Sequence, residues 1–226
     1  MPTVMITGAS RGLGLEFARQ YAHDGWSVIA TCRKPENANE LNAINGVTVY
    51  PLNVTNFTAV RALADKLKGT AIDVLINNAG VYGPKGSTLN ELDFDMWEQV
   101  LRTNTMAPLC VAQCFAAHVA ASEQKCIATL SSKMGSMTDN TSGGSYLYRS
   151  SKAAVNAVMK SLANDFGPQG VISVLLHPGW VRTDMGGASG LIGAEQSVAG
   201  MRRVIESAKM SDSGHFYAYD GAEIPW

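Results

Sequence analysis

Residues 4–22 read VMITGASRGLGLEFARQYA: strand, tight turn, helix. Gly8, Gly12 and Gly14 stand in the arrangement T-G-x-x-x-G-x-G, which differs from the G-x-G-x-x-G dinucleotide fingerprint but serves the same physics. Glycines let the backbone turn sharply and approach a pyrophosphate, which then lies over the N-terminus of a helix whose free N–H groups and dipole favour an anion. Ser10, Arg11 and Leu13 fall inside the same turn and join the glycines as candidate cofactor contacts. A glycine turn after a strand is also ordinary turn chemistry, so a dinucleotide site needs support from residues further along the chain.

The next strand ends in ATCRKP. In dinucleotide folds a carboxylate there grips the ribose 2′-hydroxyl, and a basic residue replaces it when a 2′-phosphate must fit. Cys32 and Arg33 occupy that place, with Arg11 within reach from the turn. NADP(H) is therefore favoured over NAD(H). The alternative is two ordinary solvated arginines.

Along the whole chain, short apolar β-rich runs alternate with longer helical patterns, the signature of an α/β fold. Strands are expected to begin near residues 3, 27, 47, 73, 126, 171 and 215, and helices to cover about 13–23, 57–68, 93–120, 147–166 and 195–208. Strand runs this continuously apolar belong in a parallel sheet covered on both faces. Two glycine-rich segments, 132–145 and 185–195, follow strand ends, where open α/β sheets bind ligands, and are expected to form mobile walls.

Bulk properties narrow the partners. The 226 residues are 46% apolar, enough for one sizeable core in a single domain, 1–226. Eighteen basic residues against nineteen acidic ones leave a charge of -1, without a run of like charges suited to nucleic acid or an anionic membrane. No stretch approaches the roughly 18 to 20 apolar residues of a membrane span, and the N-terminus lacks a signal-peptide pattern. The expectation is a soluble, cytoplasmic protein whose partner is a small molecule. Cys32, Cys110, Cys114 and Cys126 follow no disulfide or zinc spacing and read as reduced thiols. Cys110, Cys114 and His118 share a helical face, but without a fourth ligand they are taken as core filler, and no metal is expected.

Six motifs in order then resemble the short-chain dehydrogenase/reductase family in its classical branch: TGASRGLG, NNAG (77–80), Asn104 in RTNTMAP, LSS (130–132), YRSSK (148–152) and HPGWVRT (177–183). SSKMGS, GGSYLYRSSKAAVN, LHPGWVRTDMGG and DGAEIPW are similar to carbonyl reductases of the C-factor and Sniffer type. The resemblance implies a Rossmann-type, doubly wound seven-stranded parallel sheet in the order 3-2-1-4-5-6-7 with helices on both faces. It also implies cofactor contacts at Asn53, where the family commonly has Asp, and at the adjacent Val54. In NNAG it implies Asn77, Asn78, Ala79 and Gly80 beside the cofactor. Pro178, Gly179 and Val181 would present backbone to the nicotinamide, and Thr183 would lie near the phosphates. A homo-oligomer, a dimer or a tetramer, is expected by the same analogy, through the long helix and KAAVNAVMKSLANDF.

Carbonyl reduction needs a hydride donor, an acid for the developing alkoxide and a donor to hold the oxygen. Tyr148 is the candidate acid. Lys152, one helical turn on, is expected to lower the phenol's pKa by its charge, and the resemblance implies that it also holds the nicotinamide ribose. Ser132, which precedes KMG as the family serine precedes two variable residues and a glycine, would orient the carbonyl; Ser131 points the other way. Asn104 would bind a water linking Lys152 to solvent, the alternative being a helix-interior amide on a local carbonyl. Tyr146, two residues before Tyr148 and about 200° around the helix, is read as a wall residue. His177 is read as a packed strand-end residue, and Trp97 and Trp226 as packing or subunit contacts. Two other readings stay open: an NAD-preferring alcohol dehydrogenase, and a dinucleotide-binding signalling protein without turnover.

Overall fold

The computed structural model describes residues 1–86 and 88–226. Seven strands form one parallel sheet: β1 (Thr3–Thr7), β2 (Ser27–Cys32), β3 (Val47–Pro51), β4 (Val74–Asn77), β5 (Cys126–Leu130), β6 (Ile172–His177) and β7 (Phe216–Ala218). Their order is 3-2-1-4-5-6-7, as the family resemblance implied. The helices are α1 (Gly12–His23), α2 (Asn39–Asn42), α3 (Phe57–Lys66), α4 (Phe94–Leu101), α5 (Ala107–Ala120), α6 (Tyr146–Phe166) and α7 (Ala194–Ser207). The short α2 is not among the expected helices; four residues carry too little periodicity to announce one.

Strand alternation sends neighbouring side chains into opposite layers. Met5, Leu75, Ile127 and Leu175 pack on one face with Val60, Phe115, Val155 and Met159 from α3, α5 and α6. Val4, Ile6, Val74, Ile76 and Val174 pack on the other with Phe17, Tyr21, Val198 and Met201 from α1 and α7. Each fully buried large apolar side chain contributes roughly 1.5–3 kcal/mol, so the central strands are held from both sides. Among the described residues no helix is long and apolar enough to cross a membrane.

The helix expected over 93–120 is interrupted. Between α4 and α5, residues Arg102–Met106 form one wide π turn. Pro108 supplies a reason: it has no N–H to donate to the carbonyl of residue 104, so the regular i to i−4 ladder cannot continue there. The turn buries Asn104 and Thr105 against α6, where the Thr105 hydroxyl donates to Ser151 O at 2.9 Å.

Candidate active site

Strand order reverses between β1 and β4, and the loops leaving these two strands meet at their C-terminal ends, the place where open α/β sheets take ligands. Asn78 fastens them. Its Nδ2 donates to Thr7 O at 2.8 Å and to Gly8 O at 3.0 Å, while its own N–H donates to Thr7 Oγ1 at 3.0 Å. The approach leaves no room for a Cβ at Gly8 or Gly14 of the turn. A Cβ on Gly14 would lie 2.5 Å from both Asn78 Nδ2 and Gly8 O, and one on Gly8, at φ +68°, would lie 2.9 Å from Ala79 Cα. Past the turn, α1 starts without a side-chain cap from Arg11 and without an acidic residue in its first turn, so its first N–H groups and positive dipole end face the cleft.

A cavity of about 540 Å³ opens there. The predicted cofactor residues Gly8, Ser10, Arg11, Gly12, Leu13, Arg33, Asn53, Val54, Asn78, Ala79, Gly80, Tyr148, Lys152, Pro178 and Thr183 all line it, as does Cys32. Three others do not. Gly14 serves the close packing of the turn against Asn78. Gly179, at φ +81°, is pressed so near Ile192 and Tyr219 that a Cβ would lie 2.9 Å from Ile192 Cδ1. Val181 is buried and bridges Ile192. Of the backbone expected against the nicotinamide, Pro178 alone reaches the cavity wall. Asn77, expected near the ligand, is a correction: its amide is buried and donates to Pro108 O at 3.2 Å, bracing β4 against α5.

The charges at the mouth separate the two arginines. Arg11 donates to Asp184 at 3.0 Å across the opening. Arg33 is exposed and forms no ion pair among the described residues, and no carboxylate ends β2. The donor set therefore suits a 2′-phosphate at Arg33 and a pyrophosphate at the glycine turn. Asn53 accepts from Thr55 N and Oγ1 through Oδ1, which leaves its Nδ2 as a donor on the cavity wall.

Deeper in, α6 brings Tyr148 and Lys152 to one face, both buried. Lys152 Nζ donates to Leu130 O at 2.9 Å and lies 5.7 Å from the centre of the Tyr148 ring. Burial pushes the Tyr148 phenol up to about 12; a hydrogen bond with the Ser132 hydroxyl pulls the other way, and Tyr82 nearby raises it further. Burial likewise lowers the Lys152 ammonium to about 8. The expected net lowering of the phenol's pKa is thus corrected: the Lys152 ammonium is held on the Leu130 carbonyl and desolvation sets the direction of both shifts. Ser132, two residues past the end of β5, hydrogen-bonds Tyr148, and its hydroxyl accepts from Met134 N at 3.2 Å. The Ser131 hydroxyl donates to Asn156 Oδ1 at 2.6 Å in the core, although Ser131, and not Ser132, is among the residues that line the cavity.

Asn104 lies behind Gly80 and Lys152. Its Nδ2 donates to Val81 O at 2.7 Å and to Ser151 Oγ at 3.0 Å, and its Oδ1 accepts from Val81 N at 2.9 Å. The amide clamps the loop after β4, and its donors go to groups 23 and 47 residues away in sequence rather than to a local carbonyl. One lone pair of Oδ1 remains. His177 has its pKa pushed down to about 4, chiefly by burial, and stays neutral as a packed strand-end residue. Trp97 donates to Ser150 Oγ, and Trp226 stacks on Phe216. The segment expected to be a mobile wall is tied down: Arg149 bonds Met134 O and Gly143 O, and Thr138 bonds Trp226 O.

Some wall residues escape the sequence reading. Met96, Gln99 and Arg102 reach the cavity from α4 and the π turn, whereas Met185 lines it from the glycine-rich segment already expected to wall the site. Tyr82, in the loop after β4, stacks on Tyr148. The one available signal is proximity in sequence to Asn104 and to NNAG.

The fold and the cleft together define a Rossmann-type α/β protein with a dinucleotide-shaped site. The model of the short chain dehydrogenase family matches residues 2–190, and the chain belongs to that family of oxidoreductases. Among its relatives, the C-signal protein of Myxococcus xanthus is 41% identical over 167 residues, covering 74% of this chain and 100% of that one. Among solved structures, the carbonyl reductase Sniffer of D. melanogaster superposes with a TM-score of 0.93 at 32% identity over 100% of both chains. An NADPH-bound carbonyl reductase from chicken fatty liver gives 0.92 at 32% identity, covering 100% of this chain and 99% of that one.

Proposed function

We propose that the protein is an NADPH-dependent reductase of small-molecule aldehydes or ketones, reversible when NADP is in excess. The observation that carries this is the pair Tyr148 and Lys152 on the wall of a cavity that also offers Arg33 and a glycine turn, with the Ser132 hydroxyl hydrogen-bonded to Tyr148 beside it. Kinship with proteins named as carbonyl reductases, one with NADPH bound, supports it.

NADPH supplies the hydride when bound. Arg33 would hold its 2′-phosphate, the N–H groups of the glycine turn and α1 its pyrophosphate, and Lys152 its nicotinamide ribose. Ser132 donates to the substrate carbonyl and fixes its orientation. As negative charge grows on that oxygen, Tyr148 gives up its phenolic proton. A phenol raised to about 12 is fully protonated at neutral pH, so the acid is loaded for reduction, and an alkoxide is basic enough to take the proton. Lys152, at about 8, remains mostly ammonium near pH 7 and stabilises the phenolate as it forms. The free lone pair on Asn104 Oδ1 would hold the water that returns a proton through Lys152.

The relationship to C-signal favours a second reading, a dinucleotide-binding signalling protein without turnover. Turnover decides between them. Purified protein with NADPH and a panel of aldehydes, diketones and quinones should oxidise the cofactor, and Tyr148→Phe should abolish it. No oxidation across the panel would give the second reading the field.

A further inference from the structure

Tyr82 neither binds the cofactor nor moves a proton in the proposed reduction, yet it touches the acid directly. Its ring stacks on that of Tyr148, with centroids 4.5 Å apart and planes 26° from parallel. Its hydroxyl shares a 3.0 Å hydrogen bond with Ser145 Oγ. Ser145 is the residue from which α6 starts, three before Tyr148. It sits at φ +48°, ψ +41°, the left-handed region that a residue with a Cβ enters only at a cost. Its side chain makes no capping bond to the helix, so the hydroxyl is free for Tyr82. One side chain therefore grips both the ring of the acid and the strained residue that aims the helix carrying it.

The grip extends to the far wall. Lys85, three residues on, lies over the Tyr82 ring at 5.9 Å and donates to Met185 O at 3.0 Å, in the segment after Thr183. The loop after β4, itself clamped by Asn104 on Val81, thus spans from the acid to the opposite side of the cavity.

We propose that Tyr82 is a positioning residue for the reduction, holding the Tyr148 ring by stacking; this rests on the reading of Tyr148 as the acid. The stack restricts rotation of the phenol while it waits to donate. Without it the proton donor samples orientations that miss the carbonyl oxygen, and small misplacements of reacting groups cost up to about 100-fold in rate.

The test compares the parent, Tyr82→Leu and Tyr82→Phe. It uses NADPH with the best substrate of the carbonyl panel, cofactor binding by fluorescence, and ultraviolet titration of Tyr148 assigned by difference from Tyr148→Phe. Tyr82→Leu should lower kcat by about 10- to 100-fold with the NADPH Kd unchanged. Its Tyr148 titration should fall toward the ordinary tyrosine value as the ring gains water. Tyr82→Phe keeps the ring and should recover most of the lost kcat. Parental kcat in Tyr82→Leu, equal losses in both variants, or an unmoved Tyr148 titration would overturn the proposal. If Tyr82→Leu fails to fold, Tyr82→Met is read by the same outcomes. A parent that turns over no carbonyl sinks the reductase reading instead, and the titration, which needs no substrate, still decides whether Tyr82 holds the ring.

Discussion

Replacing Lys152 by Met should make the protein more stable and inactive at once. Lys152 is buried on the cavity wall, and burial lowers its ammonium from 10.5 to about 8. The unfolded chain keeps that proton up to about pH 10.5, whereas the folded chain releases it above about pH 8. Between those values the unfolded state binds more protons, so stability rises with pH across that window and the full penalty stands below it. At about 1.4 kcal/mol per pH unit, the buried charge costs about 3 kcal/mol at pH 7. Methionine is flexible, apolar and of similar length, so it can fill the stem's place. Against the gain, Leu130 O loses its 2.9 Å donor, which costs about 1 kcal/mol. The net stabilisation is about 2 kcal/mol, or about 4–8 °C in Tm for a chain of this size. Scanning calorimetry of parent and Lys152→Met without added cofactor, at pH 7 and near pH 10.5, measures it. The advantage should be present at the lower pH and absent at the higher, where both side chains are neutral. A Tm at or below the parent's at pH 7, or the same difference at both pH values, would refute the reasoning.

Three other substitutions read separate parts of the site. Tyr148→Phe should lower kcat by about 10²- to 10⁴-fold with NADPH affinity kept, whereas Tyr146→Phe, on the exposed rim, should keep most activity; equal losses would overturn the assignment. Arg33→Ala should weaken NADPH binding by about 10- to 100-fold and leave NADH untouched in a fluorescence titration, since a charge-assisted bond to phosphate is worth about 1.5–3 kcal/mol. Equal affinity of the parent for the two cofactors would remove the basis for that effect. Gly14→Ala sets a Cβ 2.5 Å from Gly8 O and Asn78 Nδ2, so thermal unfolding should show a loss of about 1–3 kcal/mol, and NADPH affinity should fall with it.

The alternation of strands and helices, the glycine turn and the pairing of Tyr148 with Lys152 were legible in the sequence because each depends on spacing along the chain, whereas the sheet order came from the family resemblance. Side chains four residues apart on a helix share a face whatever surrounds them, and alternation separates Ser131 from Ser132 in any strand. What surrounds a group is another matter. Nothing in YRSSK says that Lys152 will spend a donor on Leu130 O, 22 residues away in sequence, or that desolvation will outweigh its attraction for the phenol. The break at 102–106 had a visible sign in Pro108, yet proline is also at home in the first turn of a helix, so position alone could not choose between a new helix and a wide turn.

Tyr82 was the hardest residue to anticipate, and the reason bears on how the site works. Its partners Ser145 and Tyr148 lie more than 60 residues away, and its own loop has no periodicity to fix a side-chain direction. The direction comes instead from Asn104, whose amide takes both backbone groups of Val81, the preceding residue. Asn104 itself is turned inward by the π turn that Pro108 favours. A proline in one helix thus sets the aim of a tyrosine in a loop, which sets the ring of the acid on another helix. Each step is a short-range contact, but the chain of them crosses three elements. A substitution at Pro108 should therefore reach the acid without touching the cavity.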